Sequence, residues 1–231
     1  MKLVQPICRD GLTDADRAFL MSVLAPGGID SAEAVTALLA DPGTRDRLLD
    51  TPELFHAVLE QTQPITISPR LYFFVLVRHS FLRADLDNRE LADYVASLLA
   101  DSMANSKLFK PNKAGKRGAP FYIVDILNRM SQAGFCERFY LTVTLAENSL
   151  VVTGLFRPHL DYRATYRGAP DLSFYESIGQ AQYRAASDHH LAHEYCLTEV
   201  YQALGERFID ARRALNHLSQ NLVFLGQDGL N

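Results

Sequence analysis

The segment Leu71 to Leu82 (LYFFVLVRHSFL) most narrows what this 231-residue chain can become, because it is apolar on nearly all sides. Ser68-Pro69 precedes it, and a capping hydroxyl followed by Pro at the first helical position marks a helix start. The run Leu71 to Val77 would also suit a buried strand, but the pattern continues through His79, Phe81 and Leu82, and that length favours a helix. A helix apolar all round must be wrapped by other elements, so this one is expected to be the central, most buried helix. The longest apolar run in the chain, Leu71 to Val77, is still far short of the roughly 20 residues that span a bilayer. The N-terminal residues lack the apolar core of a secretory signal. A soluble, cytoplasmic protein with no membrane partner is therefore expected.

The remainder repeats apolar residues at helical spacing between Pro- and Gly-containing breaks. Thr13 and Asp16 frame a first helix, stopped at residues 26–28, and Asp30 or Ser31 opens a second that Asp41-Pro42-Gly43 breaks. Thr51-Pro52-Glu53 opens another, with Leu54 and Val58 on its buried side. Asp87 with Glu90, and Ser173 with Glu176, read as capping boxes. Helical spacing resumes at Phe121 to Met130 and ends at Gly134, and His159 to Arg167 forms a short helix closed by Gly168. Ser187-Asp188 interrupts the helix that begins near Phe174, and two more follow through Leu204 and Leu222. Residues 139–156 are ambiguous. FYLTVTL alternates like a strand and AENS could turn a β-hairpin, but a lone two-stranded hairpin in a helical chain is marginal, so helix is favoured. The expected fold is all-α, a bundle of roughly nine to eleven helices. Gly179 and Gly205 fall inside expected helices, where they mark close helix crossings.

Charge divides the chain. Residues 1–106 carry a net −6 and residues 107–231 a net +2. Of 23 basic residues only five are Lys, and four of these are Lys107, Lys110, Lys113 and Lys116. They lie in KLFKPNKAGKRGAP, which is rich in Pro and Gly and nearly free of apolar residues. Residues 107–120 are thus the best boundary in what otherwise reads as a single helical domain, with an acidic helical half at 1–106 and a mildly basic one at 121–231. The cysteines, Cys8, Cys136 and Cys196, are widely spaced and form no CxxC pair, which fits reduced, mostly structural thiols rather than a disulfide framework.

Three groups of side chains could carry chemistry. His190, His193 and Glu194 share one face if helical, since they are spaced by three and four residues, and a divalent metal is the cofactor they would suit. The order is HxxHE, however, and not the HExxH or HxxEH of zinc peptidases. Glu53, His56 and Glu60 supply one Glu-x-x-His, where carboxylate-bridged di-iron bundles use two. Glu176 could join His190 only if the chain bends at Ser187-Asp188. Anion contact is the third option, through Lys107, Lys110, Lys113, Lys116 and Arg117, with Arg157, Arg163 and Arg167 beside Tyr162 and Tyr166.

No GxSxG, GxGxxG or Walker sequence occurs, so the residues neither establish an enzyme nor exclude one. The leading expectation is a helical interaction or regulatory module whose second half meets a protein partner or another copy. The alternatives are a metal-binding helical protein or metal-dependent enzyme built on the HxxHE segment, and phosphate or nucleic-acid contact through Lys107 to Arg117. Nucleic acid and membrane are not the expected partners.

Overall fold

The structure is a computed structural model, and it describes residues 3–25, 29–60, 67–104 and 123–227. Among the described residues there are twelve α-helices and no strand. The first half holds α1 (Asp14–Leu24), α2 (Ile29–Ala40), α3 (Pro42–Leu49), α4 (Pro52–Leu59), α5 (Pro69–Arg83) and α6 (Arg89–Ala104). The second half holds α7 (Ile123–Gln132), α8 (Phe135–Leu155), α9 (Arg157–Arg167), α10 (Leu172–Ser187), α11 (His190–Glu194) and α12 (Thr198–Gln227). The fold is all-α, as the apolar spacing predicts. The hairpin alternative for 139–156 gives way to the continuous helix α8, whose residues bury against α10 and α12.

Caps explain most helix starts. Thr13 and Asp16 form a full capping box at α1, and the Ser68 hydroxyl accepts from the Leu71 N–H at α5. Two expected boxes are corrected. At α6 the acceptor is Asn88, taking the Leu91 N–H at 2.9 Å, because Asp87 is drawn away to Arg78. At α10 the cap is Asp171, accepting from Phe174 at 3.0 Å, and Glu176 pairs instead with Arg212 at 2.7 Å. Asp41-Pro42-Gly43, read above as a break, starts α3. The Asp41 carboxylate accepts from the Thr44 N–H at 2.7 Å, and Pro42 occupies the first turn, where it costs no hydrogen bond. The division expected between Leu204 and Phe208 falls at Arg207, whose non-helical φ of −107° and ψ of 21° kink α12 into two helical stretches.

The larger of two core clusters draws on both halves, from Leu20 and Leu54 through Leu91 to Phe208 and Leu218, and a smaller one joins Ile123, Leu145, Leu160 and Tyr175. α5 is deeply buried, but α6 is the more enclosed: Leu91 to Ala100 are all buried, whereas Tyr72 and Phe73 of α5 keep some exposure. In the second half α10 packs on α8 and α12. Gly179 makes that approach possible, since a Cβ there would lie 2.4 Å from the Phe208 ring. Gly205 is similarly close to Arg184. At Phe156 the chain bends by 96° between α8 and α9, with Pro158 in the first turn of α9. No single helix among the described residues is long and apolar enough to cross a membrane.

Buried charge ties the first half together. Arg78 is only 1 % exposed. Its Nε and Nη2 donate to the two carboxylate oxygens of Asp50 at 2.8 and 3.0 Å, and Nη2 also donates to Asp87 at 2.6 Å. Arg89 adds a 2.7 Å bond to Asp50. Burial alone would raise the Asp50 carboxyl, but the bonds from Arg78 and Arg89 overcome it and hold that group below its ordinary range. Buried Asp93 accepts from the Cys8 and Arg9 backbone N–H groups at 2.7 and 3.2 Å, and from Arg9 Nε at 2.9 Å. Burial, with Asp93 close by, pushes the Cys8 thiol up to about 12, so it stays protonated. Asp16 of α1 accepts from the Ser68 N–H at 2.7 Å. Replacing Arg78 with Ala removes a buried cation and leaves Asp50 and Asp87 short of a partner. The expected loss is about 3–5 kcal/mol, to be read from urea unfolding.

Candidate functional site

The densest surface constellation lies where the N-terminal half of α8 meets α11. Gly134 closes the α7–α8 turn and leads directly into Phe135, whose ring is 68 % exposed. Two imidazoles lie against it. His190 is parallel to Phe135 within 2° at a centroid distance of 5.4 Å, and His189 sits at 4.4 Å. His189 also stacks on Phe139 at 4.6 Å, one turn further along α8. Beside this stack the hydroxyls of Tyr140 and Tyr195 meet at 3.4 Å. Tyr195, also partly exposed, lies next to Cys196, which adopts a positive φ of 56°.

His189 is more than a stacking partner. Its Nδ1 accepts the Leu191 N–H at 3.2 Å and so caps α11. That bond needs a lone pair on Nδ1, which makes the ring neutral with its proton on Nε2. Burial, assisted by nearby His190, lowers the His189 pKa below its ordinary value and favours the neutral form.

The aromatic path continues inward. Phe139 approaches Tyr201 at 6.5 Å, and Tyr201 meets Tyr94 edge-on at 5.7 Å. The Tyr94 hydroxyl donates to Glu147 Oε1 at 2.6 Å. Tyr94, Tyr183 and Tyr201 are all fully buried. The Tyr183 and Tyr201 hydroxyls stand within electrostatic reach of Glu147 but lack a partner of good geometry among the described residues. Glu147 keeps part of its surface exposed, yet its bonded oxygen points into this buried cluster. Burial raises the Glu147 carboxyl to about 7, against the lowering effect of the Tyr94 bond. Strong desolvation acting on one carboxyl beside named polar groups is a recognised mark of a functional position.

The residues singled out from the sequence distribute differently. His190, His193 and Glu194 are exposed on the five-residue α11, and His190 faces Phe135 rather than an acid. Glu53, His56 and Glu60 are exposed at α4 and its C-terminal end, far from forming one ligand set with α11. Among the described residues no group of three or more His, Cys, Asp or Glu side chains converges in a way that could hold a metal ion. Lys107, Lys110, Lys113, Lys116 and Arg117 lie outside the described residues. On α9, Arg157 pairs with Asp161 at 2.9 Å, while the exposed Tyr162 and Tyr166 rings lie 5.0 Å apart, tilted by 41°. Arg163 and Arg167 belong to the same helix. Cys8 is buried, but Cys136 and Cys196 are exposed, so only one of the three thiols is a core residue.

Sequence reasoning passes over Phe135, Tyr140, Tyr195 and Glu147. The one local signal was Glu147, an acid inside the otherwise apolar and hydroxylic stretch LTVTLAENSLVV. No protein-family model, curated protein or solved structure matches the chain.

The two perturbed groups act with opposite sign. Glu147 has a folded pKa above its unfolded one, so its contribution is fully present below about pH 4.5 and is lost as pH rises through about 7. At about 1.4 kcal/mol per unit, the loss has an upper bound of roughly 3 kcal/mol. The Glu147→Gln variant should therefore gain stability over the parent at pH 8 and little at pH 4, measured by denaturant unfolding. His189 has a lowered folded pKa, so its contribution is present above pH 6.5 and falls on acidification. The amide protection factor across Leu191 to Cys196, with the intrinsic pH dependence of exchange divided out, should fall below pH 6.5 in the parent. It should lose that pH dependence in His189→Asn, whose side chain caps without titrating.

Proposed function

We propose that this protein is a helical interaction module and that the stacked surface around Phe135 is where a protein partner docks. The observation that carries the reading is Phe135 itself: a large apolar ring, 68 % exposed, held parallel to His190 and braced by His189. A lone exposed aromatic side chain needs no explanation. Here the ring is supported on one side by two imidazoles, with the hydroxyl pair of Tyr140 and Tyr195 close by. A ring already restrained loses little side-chain freedom on binding, and aromatic anchors with adjacent polar groups are what protein interfaces concentrate. The partner implied is a protein presenting an apolar or aromatic side chain, since His189 is held neutral and the platform offers stacking rather than charge.

Placing the photocrosslinker p-benzoylphenylalanine at position 135 in cells tests this. A discrete adduct with one other protein is expected, absent when the crosslinker stands at the partly exposed Phe174. Against that captured partner, Phe135→Ala should weaken binding about tenfold or more, the scale of an anchor residue. His190→Ala should weaken it in the same direction. Equal labelling at positions 135 and 174, or no adduct at either, would remove the proposal. A dimer of the chain itself would redirect it to self-association, visible as a doubled mass by light scattering.

A further inference from the structure

We infer that the cleft between the C-terminal end of α5 and the middle of α12 is a binding site for a small organic phosphate. The cleft is half open to solvent, with a volume of about 440 Å³, within the range of small-molecule sites and larger than a bare phosphate ion requires. Arg83 projects from the last turn of α5, and Arg213 and His217 stand one turn apart on α12, all three lining the same space. Between them the surface is made by Ala84 and Ala214, whose small side chains leave room for a ligand to lie against the helices.

The charge balance of this cleft differs from that around the other arginines that approach carboxylates. Arg9, Arg78, Arg89, Arg157 and Arg212 all make ion pairs. Arg83 and Arg213 have no carboxylate partner among the described residues. The one acid lining the cleft, Asp210, is already neutralised by Arg207 Nε at 2.6 Å. Ser80 donates its hydroxyl proton back to the Leu76 carbonyl at 2.8 Å, so it brings no competing charge. Two unpartnered guanidiniums therefore face one cavity from two different helices. Each presents a planar fork of N–H donors suited to a phosphate's oxygens, and the His217 ring adds a further donor. The aliphatic floor and the remaining volume suit the organic part of a phosphate ester.

Calorimetric titration with inorganic phosphate, ribose 5-phosphate, AMP and malonate tests the site. Inorganic phosphate should bind saturably in the millimolar range, and one or both organic phosphates at least about tenfold more tightly. Arg83→Gln and Arg213→Gln should each reduce that affinity by about tenfold or more, while thermal unfolding confirms an intact fold. The Arg17→Gln/Arg47→Gln double variant on α1 and α3 removes two positive charges elsewhere and should leave binding unchanged. Absence of saturable phosphate binding overturns the inference. Equal loss in the Arg17/Arg47 control, or preference for malonate over every phosphate, overturns it as well.

Discussion

The buried guanidinium of Arg78 is the constraint around which the first half of the molecule is arranged. An apolar helix as long as α5 demands burial, but Arg78 carries a charge into that environment, where an unpaired cation is untenable. Asp50, at the end of α3, and Asp87, before α6, meet it from either side. The three elements cannot shift independently without stranding one of these charges. The Asp93 contacts with Cys8 and Arg9 extend the same logic to the N-terminal segment, and Asp16 extends it to α1. The apolar core supplies the larger driving force, and the charges select one arrangement of it.

The second half is organised by close packing. The absence of a side chain at Gly179 lets α10 seat against Phe208 of α12, and this brings Tyr183 beside Tyr201 at 5.9 Å. The same packing holds α11 against the start of α8, which is how His189 comes to cap one helix while stacking on another. A row of rings then connects the exposed Phe135 to Glu147, whose bonded oxygen meets the buried Tyr94 hydroxyl. The surface proposed to meet a partner and the most perturbed carboxyl in the second half thus share α8, with Tyr201 of α12 and Tyr94 of α6 between them. On the opposite contact of α12, with α5, the helices leave a cleft whose arginines have no carboxylate partner among the described residues.

Much of the helical architecture was legible in local residues, and its exceptions are instructive. Thr13 with Asp16, and Ser68 with Pro69, act as their patterns predict because capping is settled within one turn. Asp87 with Glu90 has the same spacing but does not form the expected cap, because Arg78 competes for the Asp87 carboxylate from another helix. The AENS stretch suggests a turn because three polar residues, Glu147, Asn148 and Ser149, sit together. Continuous burial on α10 and α12 keeps it helical, and Tyr94 receives Glu147. Likewise HxxHE has a spacing compatible with shared metal ligands, but α11 presents His190 to an aromatic ring and brings no acid from a second helix.

The sequence by itself determined the fold class, most helix starts and the locations of close crossings at Gly179 and Gly205. These depend on periodic apolarity, caps and side-chain size, all of which act over a few residues. Only the tertiary structure decided which charges are neutralised and which remain open. Arg78 and Arg83 stand five residues apart on one helix, yet one is locked between two aspartates and the other faces a cleft. That difference depends on carboxylates supplied by distant segments, and electrostatic pairing acts through space rather than along the chain.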